Sequence, residues 1–385
     1  MIVEQLSLVD FRNYAAADLE LVSGPNVFVG RNGQGKTNLA EAIGYLATLG
    51  SHRVSSDAPM VRHGADAAII RARLSHGERR VLLEAQINRQ GANRARVNGA
   101  AVRPADLPRY AHVVLFAPED LQIVRGDPSS RRRFVDQLLV QRLPRMAGVL
   151  ADYDRVLRQR TALLKSARVR GIRGEALSTL DVWDDKLVAL GSEVIDARCA
   201  LNAELAGPLR DAYGAIAGAG HEPEAEWALS VQGADPEEDA DAATDGPETG
   251  STTEQFRAAL AARRAAELER GLTLVGPHRD DLVLRVRGLP VRGYASHGES
   301  WSMALALRLA SAELLRVDSP LGDPLLILDD VFAELDADRR ARLAAVASGY
   351  EQVIVTAAVD ADVPDLLRAR TVRVEGGRIM GAADA

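Results

Sequence analysis

The run Gly30-Arg31-Asn32-Gly33-Gln34-Gly35-Lys36-Thr37 constrains this chain more than any other stretch, because it has the spacing G-x-x-x-x-G-K-[ST] of a phosphate-binding loop. Gly33 and Gly35 open backbone dihedrals closed to other residues and allow close approach to an anion. Successive N–H groups then point at phosphates, and the positive end of the following helix adds to them. Lys36 supplies a point charge and Thr37 a hydroxyl for Mg2+. The flanks agree: Pro25–Val29 reads as a buried strand, while Leu39, Ala42, Ile43, Leu46 and Ala47 recur at helical spacing, with Gly50 suited to close the helix. Strand, loop and helix follow in the order that nucleoside triphosphate binding requires.

The 385 residues leave room for one or two domains, and 47% apolar with 26% charged residues is ordinary for a globular chain. No apolar run approaches the roughly 18 residues of a membrane span. Glu4 and Asp10 interrupt the N-terminus, against a secretory signal. The single Cys199 can form neither an intrachain disulfide nor a cysteine zinc cluster, and with only Arg198 as a basic neighbour it reads as inert. A cytoplasmic location is expected. The net charge of −7 is an average. Part of it sits in Ala234–Glu248, which has almost no residue large enough to pack and reads as a disordered insert. Arginine is locally dense at Arg71, Arg73, Arg79, Arg80, Arg89, Arg94 and Arg96, then at Arg125 and Arg131–Arg133, so a basic surface remains open.

Residues 1–9 and 19–22 read as strands around Phe11-Arg12-Asn13-Tyr14, residues 67–74 and 80–87 as a further pair, and Asn98-Gly99 as a hairpin turn. Residues 111–116 form another apolar strand. Beyond Pro118-Glu119-Asp120, long helices are expected over 129–167 and 175–213, joined as an antiparallel arm through 168–174, and a third over 253–270. Strand 281–286, helix 300–316, strand 324–328, helix 335–347 and strands 352–355 and 371–374 complete the pattern.

Two further motifs lie downstream. Leu325–Leu328 form an apolar strand ending in Asp329-Asp330, where open α/β sheets bind ligands. Asp329 is placed to hold Mg2+, and Asp330 to orient or deprotonate an attacking water. Ser296-His297-Gly298-Glu299 precedes the 300–316 helix, a second anion-binding helix start. Phosphate loop, Ser-x-Gly helix start and acidic apolar strand, in that order, are the parts of an ABC-type ATPase.

On these residues the chain resembles the RecF family of SMC-like ATPases. The resemblance rests on Phe11–Tyr14, Gly30–Asn38 with Glu41-Ala42, Ser51-His52-Arg53, Phe116–Leu121, Gly126-Asp127-Pro128 and Arg131–Phe134. Gly276–Asp281, the Ser296 element and Leu328–Asp336 complete it. It implies an α/β, ABC-type P-loop ATPase head. Lobe I would comprise 1–119 and 320–385, and a mainly helical lobe II 120–319, with the arm, the acidic insert at about 234–251 and the signature motif. ATP would lie between two protomers, Gly30–Thr37 and Asp329 of one facing Ser296 and Gly298 of the other. Arg12 and Asn13 would sit beside the nucleotide, and Glu334-Leu335-Asp336 would form the D-loop. The ATP-bound homodimer would grip duplex DNA near single-strand gaps and, with RecO and RecR, help load RecA. Slow hydrolysis of ATP would reset it.

The chain departs from the ABC pattern in three places. Asp330 stands where Glu usually follows the magnesium Asp, Glu299 where the signature carries Gln, and Thr356-Ala357-Ala358 where a histidine loop would be. Pro118-Glu119-Asp120 and Gln122 compete for the glutamine loop. His278 reads as part of a hydrogen-bonded turn joining the lobes, Trp183, Trp227 and Trp301 as core, and His52-Arg53 equally as a nucleotide or a DNA contact. Two other classes compete. A transporter's ATP-binding subunit fits poorly with a helical arm between Thr37 and Ser296. A nuclease subunit or long-armed SMC relative would need hundreds of arm residues or a Cys-x-x-Cys hook, which this sequence lacks.

Overall fold

The computed structural model describes residues 1–54, 56–170, 178–218, 220–234, 250–317, 319 and 321–380. Most of the acidic insert and part of the arm's connecting link lie outside the described residues. The chain divides into two compact units: residues 1–124, 207–223 and 295–385, and residues 125–206 and 224–294.

In the first unit, β1 (Ile2–Phe11) and β2 (Tyr14–Glu20) pair through the tight turn at Arg12-Asn13. β3 (Gly24–Val29) feeds the phosphate loop and α1 (Lys36–Thr48). β4 (Ala67–His76), β5 (Arg79–Asn88), β6 (Arg94–Val97) and β7 (Ala100–Val102) extend the first pair into an antiparallel sheet of order β2-β1-β4-β5-β6-β7. Alternate residues of that sheet are apolar, so one face closes a core: Leu6, Leu8, Ile70 and Leu83 meet Leu46 of α1.

The same core is closed by a second sheet. It contains β8 (Val113–Phe116) and, from the other end of the sequence, β12 (Leu325–Asp329), β13 (Gln352–Ala357), β14 (Arg370–Glu375) and β15 (Arg378–Met380), in order β15-β14-β3-β13-β12-β8. All its neighbours run parallel except β14 and β15. β12 and β13 are buried throughout, which explains their near-continuous Leu, Ile and Val. α9 (Ala337–Ala347) lies between them in sequence.

The second unit is largely helical. α2 (Leu121–Arg125) ends at its border, and α3 (Pro128–Arg142), α4 (Met146–Arg170), α5 (Ser178–Ala217, whose residues from Gly207 on group with the first unit) and α6 (Thr252–Arg270) follow. β9 (Pro223–Ala228), β10 (Asp281–Val286) and β11 (Leu289–Pro290) make a three-stranded sheet, and α7 (Val291–Tyr294) is a short turn broken at Arg292 and Gly293, whose backbone angles are not helical. α4 and α5 are antiparallel, since Arg145 pairs with Glu193 whereas Arg160, further along α4, pairs with Asp184, earlier on α5. The helix expected over 129–167 is two helices: Pro144 offers no N–H, and Leu143 before it leaves the helical region (φ −127°, ψ 79°). α1 also ends differently, with Leu49 rather than Gly50 taking the left-handed cap (φ 55°).

Two features divide otherwise than the expected lobes. α8 (His297–Val317), with Ser296 before it, groups with the first unit because its almost wholly buried surface packs on β8. His278 does sit in a hydrogen-bonded turn, but one internal to the second unit, between Tyr153 Oη at 2.7 Å and the Thr273 carbonyl at 3.2 Å. Burial pushes its ring down to about 3, so it stays neutral. Trp301 is core, Trp183 packs against the helical core, and half-buried Trp227 donates to the Arg198 carbonyl. Burial pushes the Cys199 thiol up to about 11.

Candidate nucleotide site

Strands β3, β13 and β12 end together. Asp329 of β12 lies beside Thr356 of β13, and Thr356 beside Phe28 of β3. The glycine loop leaving β3 and the carboxylates leaving β12 therefore emerge at one carboxyl edge, where parallel sheets bind ligands.

The loop is clamped from both flanks. Gly33 and Gly35 have φ of +80° and +118°, conformations that side chains disfavour. A Cβ on Gly30 would strike the Val374 carbonyl oxygen at 2.2 Å. From the β1–β2 turn, Asn13 Nδ2 donates to the Gln34 carbonyl (3.0 Å), and Tyr14 Oη donates to the Gly35 carbonyl (3.1 Å). From the β14–β15 turn, the Gly376 N–H donates to Gln34 Oε1 (2.6 Å) and the Gly377 N–H to the Gln34 carbonyl (2.9 Å). Arg31, Asn32 and Gly33 are left exposed at the crest, whereas Lys36 is only 3% exposed. Lys36 Nζ lies 3.4 Å from the Arg31 carbonyl and 3.9 Å from Asp330 Oδ2.

Thr37 Oγ1 donates to Asp329 Oδ1 at 3.0 Å, and Thr356 Oγ1 donates to the same oxygen at 2.6 Å. The Thr356 hydroxyl oxygen also accepts from the Asp330 N–H at 3.0 Å, so one side chain sets both acids. Asp330 takes a left-handed backbone (φ 51°), and its side chain is 32% exposed. Burial pushes the Asp329 carboxyl up to about 6; the Thr356 and Thr37 hydrogen bonds oppose the rise, and the charges of Asp330 and Glu119 add to it. The Thr37 hydroxyl and the Asp329 carboxylate, with Asp330 next to it, are hard oxygen donors of the kind that suits Mg2+.

The surroundings bear on several candidates. His52 Nε2 lies 3.9 Å from Asp329 Oδ2. Burial lowers its pKa against the charges of Glu119, Glu41 and Asp120. Arg53 Nη1 donates to Asn38 Oδ1 (2.9 Å), and Asn38 in turn donates to Asn13. Arg12, itself left-handed (φ 53°), directs its fork at Glu41 and at the Pro59 carbonyl, so contact with the loop falls to Asn13. Burial would raise the Glu41 carboxyl, but hydrogen bonds from Arg12 and Ser51 hold it below its ordinary value. Of the glutamine-loop candidates, Glu119 is close enough for its charge to act on Asp329 and His52. Asp120 is buried and receives Arg308 of α8, and Gln122 is exposed. The sequence reading saw Thr356 only at the histidine-loop position; its link to Asp329 comes from the register beside it.

At the start of α8, Ser296 Oγ accepts from the Glu299 N–H (3.2 Å) and Glu299 Oε2 accepts from the Ser296 N–H (2.9 Å), a reciprocal capping box. Glu299, a departure from the ABC pattern, thus has a local task. A Cβ on Gly298 would lie 3.0 Å from Arg339 Nη2. Arg339 also donates from Nε to Ser302 Oγ (3.0 Å) and pairs with Asp336 of the D-loop stretch. Ser296 and His297 are exposed.

The sequence matches the family described as "RecF/RecN/SMC N terminal domain" over residues 2–374. It is 60% identical over 387 residues to the DNA replication and repair protein RecF of Clavibacter sepedonicus, covering 99% of this chain and 95% of that one. It is 59% identical over 382 residues to the protein of that name from Leifsonia xyli subsp. xyli, covering 99% of each. A solved structure of "the recombination mediator protein RecF-ATPrS in RecFOR pathway" superposes with a TM-score of 0.85 at 26% identity, over 98% of this chain and 97% of that one. The Smc head domain of Pyrococcus furiosus, at a TM-score of 0.52 and 16% identity over 98% and 94% of the two chains, shares the fold. Among the described residues no helix is long and apolar enough to cross a membrane.

Proposed function

Because the chain belongs to the RecF/RecN/SMC family, and within it to the RecF group, we propose that it is an ATP-dependent DNA-binding protein of recombinational repair and replication restart. The observation that carries this reading is the Thr37–Asp329 hydrogen bond, which joins a clamped glycine loop to a buried acid at one sheet edge. In this reading Gly30–Thr37 cradles the triphosphate with backbone N–H groups, and Lys36 offers it a buried cation. Thr37 and Asp329 hold Mg2+, which when bound neutralises charge developing on the phosphates. Asp330 orients the attacking water and takes its proton, with Glu119 as the neighbouring carboxylate. Asp is one methylene shorter than the usual Glu, which suits slow turnover.

A second copy of the chain completes the site. Its Ser296 and Gly298, at the N-terminus of α8, supply hydroxyl and N–H donors to the outer phosphates. ATP then stabilises the dimer by binding both surfaces, and hydrolysis releases it. The dimer grips duplex DNA near single-strand gaps in the cytoplasm and acts with RecO and RecR to load RecA.

Gel filtration with light scattering tests the two-chain site. With Mg2+ and ATP the wild type should run as a dimer, and Ser296→Ala should bind ATP as a monomer yet fail to dimerise. Normal dimerisation of Ser296→Ala would overturn the shared site.

A further inference from the structure

The antiparallel sheet has a second face, turned away from the core. Its pairing is explicit: Arg71 lies opposite Glu84, Glu84 opposite Arg96, Arg73 opposite Leu82, Gln86 opposite Arg94 and Ser75 opposite Arg80. The intervening residues Ile70, Ala72, Leu74, Leu83, Ala85, Ala95 and Val97 are buried. By strand alternation Arg71, Arg73, Arg80, Arg94 and Arg96 therefore share the outer face.

These five arginines are spread over β4, β5 and β6, within about 20 Å along the strands at 3.4 Å per residue. β4 and β6 stand two strand spacings apart, about 10 Å, comparable with the roughly 12 Å width of a DNA major groove. The side chains of Arg80 and Arg96 are 74% and 60% exposed, and Arg73 and Arg94 are exposed without an ion-pair partner among the described residues. Among them stands the carboxylate of Glu84, held between Arg71 and Arg96. Asp18 and Glu20 stand on the same face at the other edge, on β2, and Glu4 of β1 reaches Arg80 at 3.4 Å. Charge is thus segregated: basic over β4–β6, acidic over β1–β2.

Of the other arginines in these clusters, Arg79 and Arg133 are exposed, and three are engaged. Arg131 is buried against Asp281, Arg132 donates to the Asp280 carbonyl, and Arg89 donates to the carbonyls of Val61, Arg62 and Ala65. In a chain of net charge −7, the outer face of β4–β6 is a concentrated positive field.

We propose that the outer face of β4, β5 and β6 is a contact surface for the phosphate backbone of duplex DNA, gripped by Arg71, Arg73, Arg80, Arg94 and Arg96. The proposal rests on the DNA-binding reading above and names its surface. Arginine forks suit phosphate oxygens, and contacts to the phosphate backbone carry no sequence information. The acidic β1–β2 edge sets the boundary of the footprint, because a duplex crossing it would meet like charge.

The test is duplex binding across a salt series with Mg2+ and ATP, comparing wild type with Arg73→Ala/Arg94→Ala. None of these side chains belongs to the nucleotide site, so ATP binding should be unchanged. Losing two phosphate contacts should weaken binding about tenfold or more at 0.1 M salt and make the log–log salt slope shallower by about 1.8. A matched control, Arg155→Ala/Arg257→Ala on exposed faces of α4 and α6, should leave the slope intact. A double variant with wild-type affinity and slope, where wild type binds, overturns the surface alone. A wild type that ignores duplex DNA overturns the DNA-binding reading as well. Unchanged duplex binding with lost binding to polyglutamate would assign the face to an acidic protein instead.

Discussion

Thr37 and Asp329 are 292 positions apart in sequence, yet the hydroxyl of one donates to the carboxylate of the other at 3.0 Å. The closure is made by β13, which lies between β3 and β12 and contributes Thr356 to the same oxygen. The site therefore depends on the order of three strands, and the acid pair is held by the sheet rather than by its own loop.

That arrangement makes the Asp329 carboxylate costly to bury. Its folded carboxyl titrates at about 6, against roughly 3.9 for an unfolded aspartate. As pH rises from about 4 to 6 the unfolded state gives up its proton first, so stability falls across that window and stays lower above it. An amide in place of this carboxyl has no such proton to lose. In nucleotide-free protein Asp329→Asn should therefore be more stable than wild type at pH 7.5, by on the order of 2–3 kcal/mol, and the difference should vanish near pH 4. Urea melts at both pH values check this, and the variant should lose the dependence of ATP binding on Mg2+.

Asp330→Ala separates binding from chemistry. Asp330 Oδ2 lies 3.9 Å from Lys36 Nζ, but Lys36 also has the Arg31 carbonyl, so the loop should keep its shape. ATP binding should persist while phosphate release falls about 100-fold or more, the usual scale for a lost general base. The dimer should then stay on DNA. Unchanged phosphate release would move the base to another carboxylate, Glu119 being the nearby candidate.

Much of this site was legible in the sequence because its motifs are local. The glycine loop, the apolar strand ending in Asp329-Asp330 and the Ser296 helix start each carry their own chemistry within a few residues. The five arginines of the outer sheet face were visible only as density; their shared face needed the register of β4, β5 and β6. Thr356 was not legible as a site residue, since its role comes from lying beside Asp329 across a ladder. Arg12 has a partner that its motif does not reveal, because its fork engages Glu41 across 29 positions of sequence. The break at Pro144 was missed, although a proline in a long amphipathic run ends a helix at the residue before it.

The second unit offers a stability test independent of nucleotide. Arg160 is fully buried and donates to Asp184 (2.6 Å), Glu267 (2.6 Å) and Thr273 (3.0 Å), with Glu267 also at 0% exposure. Arg160→Ala removes the cation and leaves a buried carboxylate unpaired, which should cost about 3–5 kcal/mol in denaturant melts. Arg160→Ala/Glu267→Leu removes both charges and should recover a large part of that loss. Equal destabilisation in the two variants would mean that packing, and not the stranded charge, sets the cost.

Arg339 connects the D-loop stretch to the signature helix within one chain. Its guanidinium lies against Gly298, its Nε donates to Ser302 Oγ, and it pairs with Asp336, which also caps α9 through the Arg339 N–H at 2.9 Å. The D-loop stretch is thereby tied to the surface that a second copy would meet in the proposed dimer. Arg339→Ala should leave ATP binding by the monomer unchanged, since no atom of the glycine loop touches Arg339 among the described hydrogen bonds. It should weaken ATP-dependent dimerisation about tenfold, read as the protein concentration at which half the chains are dimeric. Arg339→Lys keeps the charge but lacks the fork that spans Ser302 and Asp336, so it should recover only part of the loss. Full recovery by lysine would reduce the role of Arg339 to charge alone.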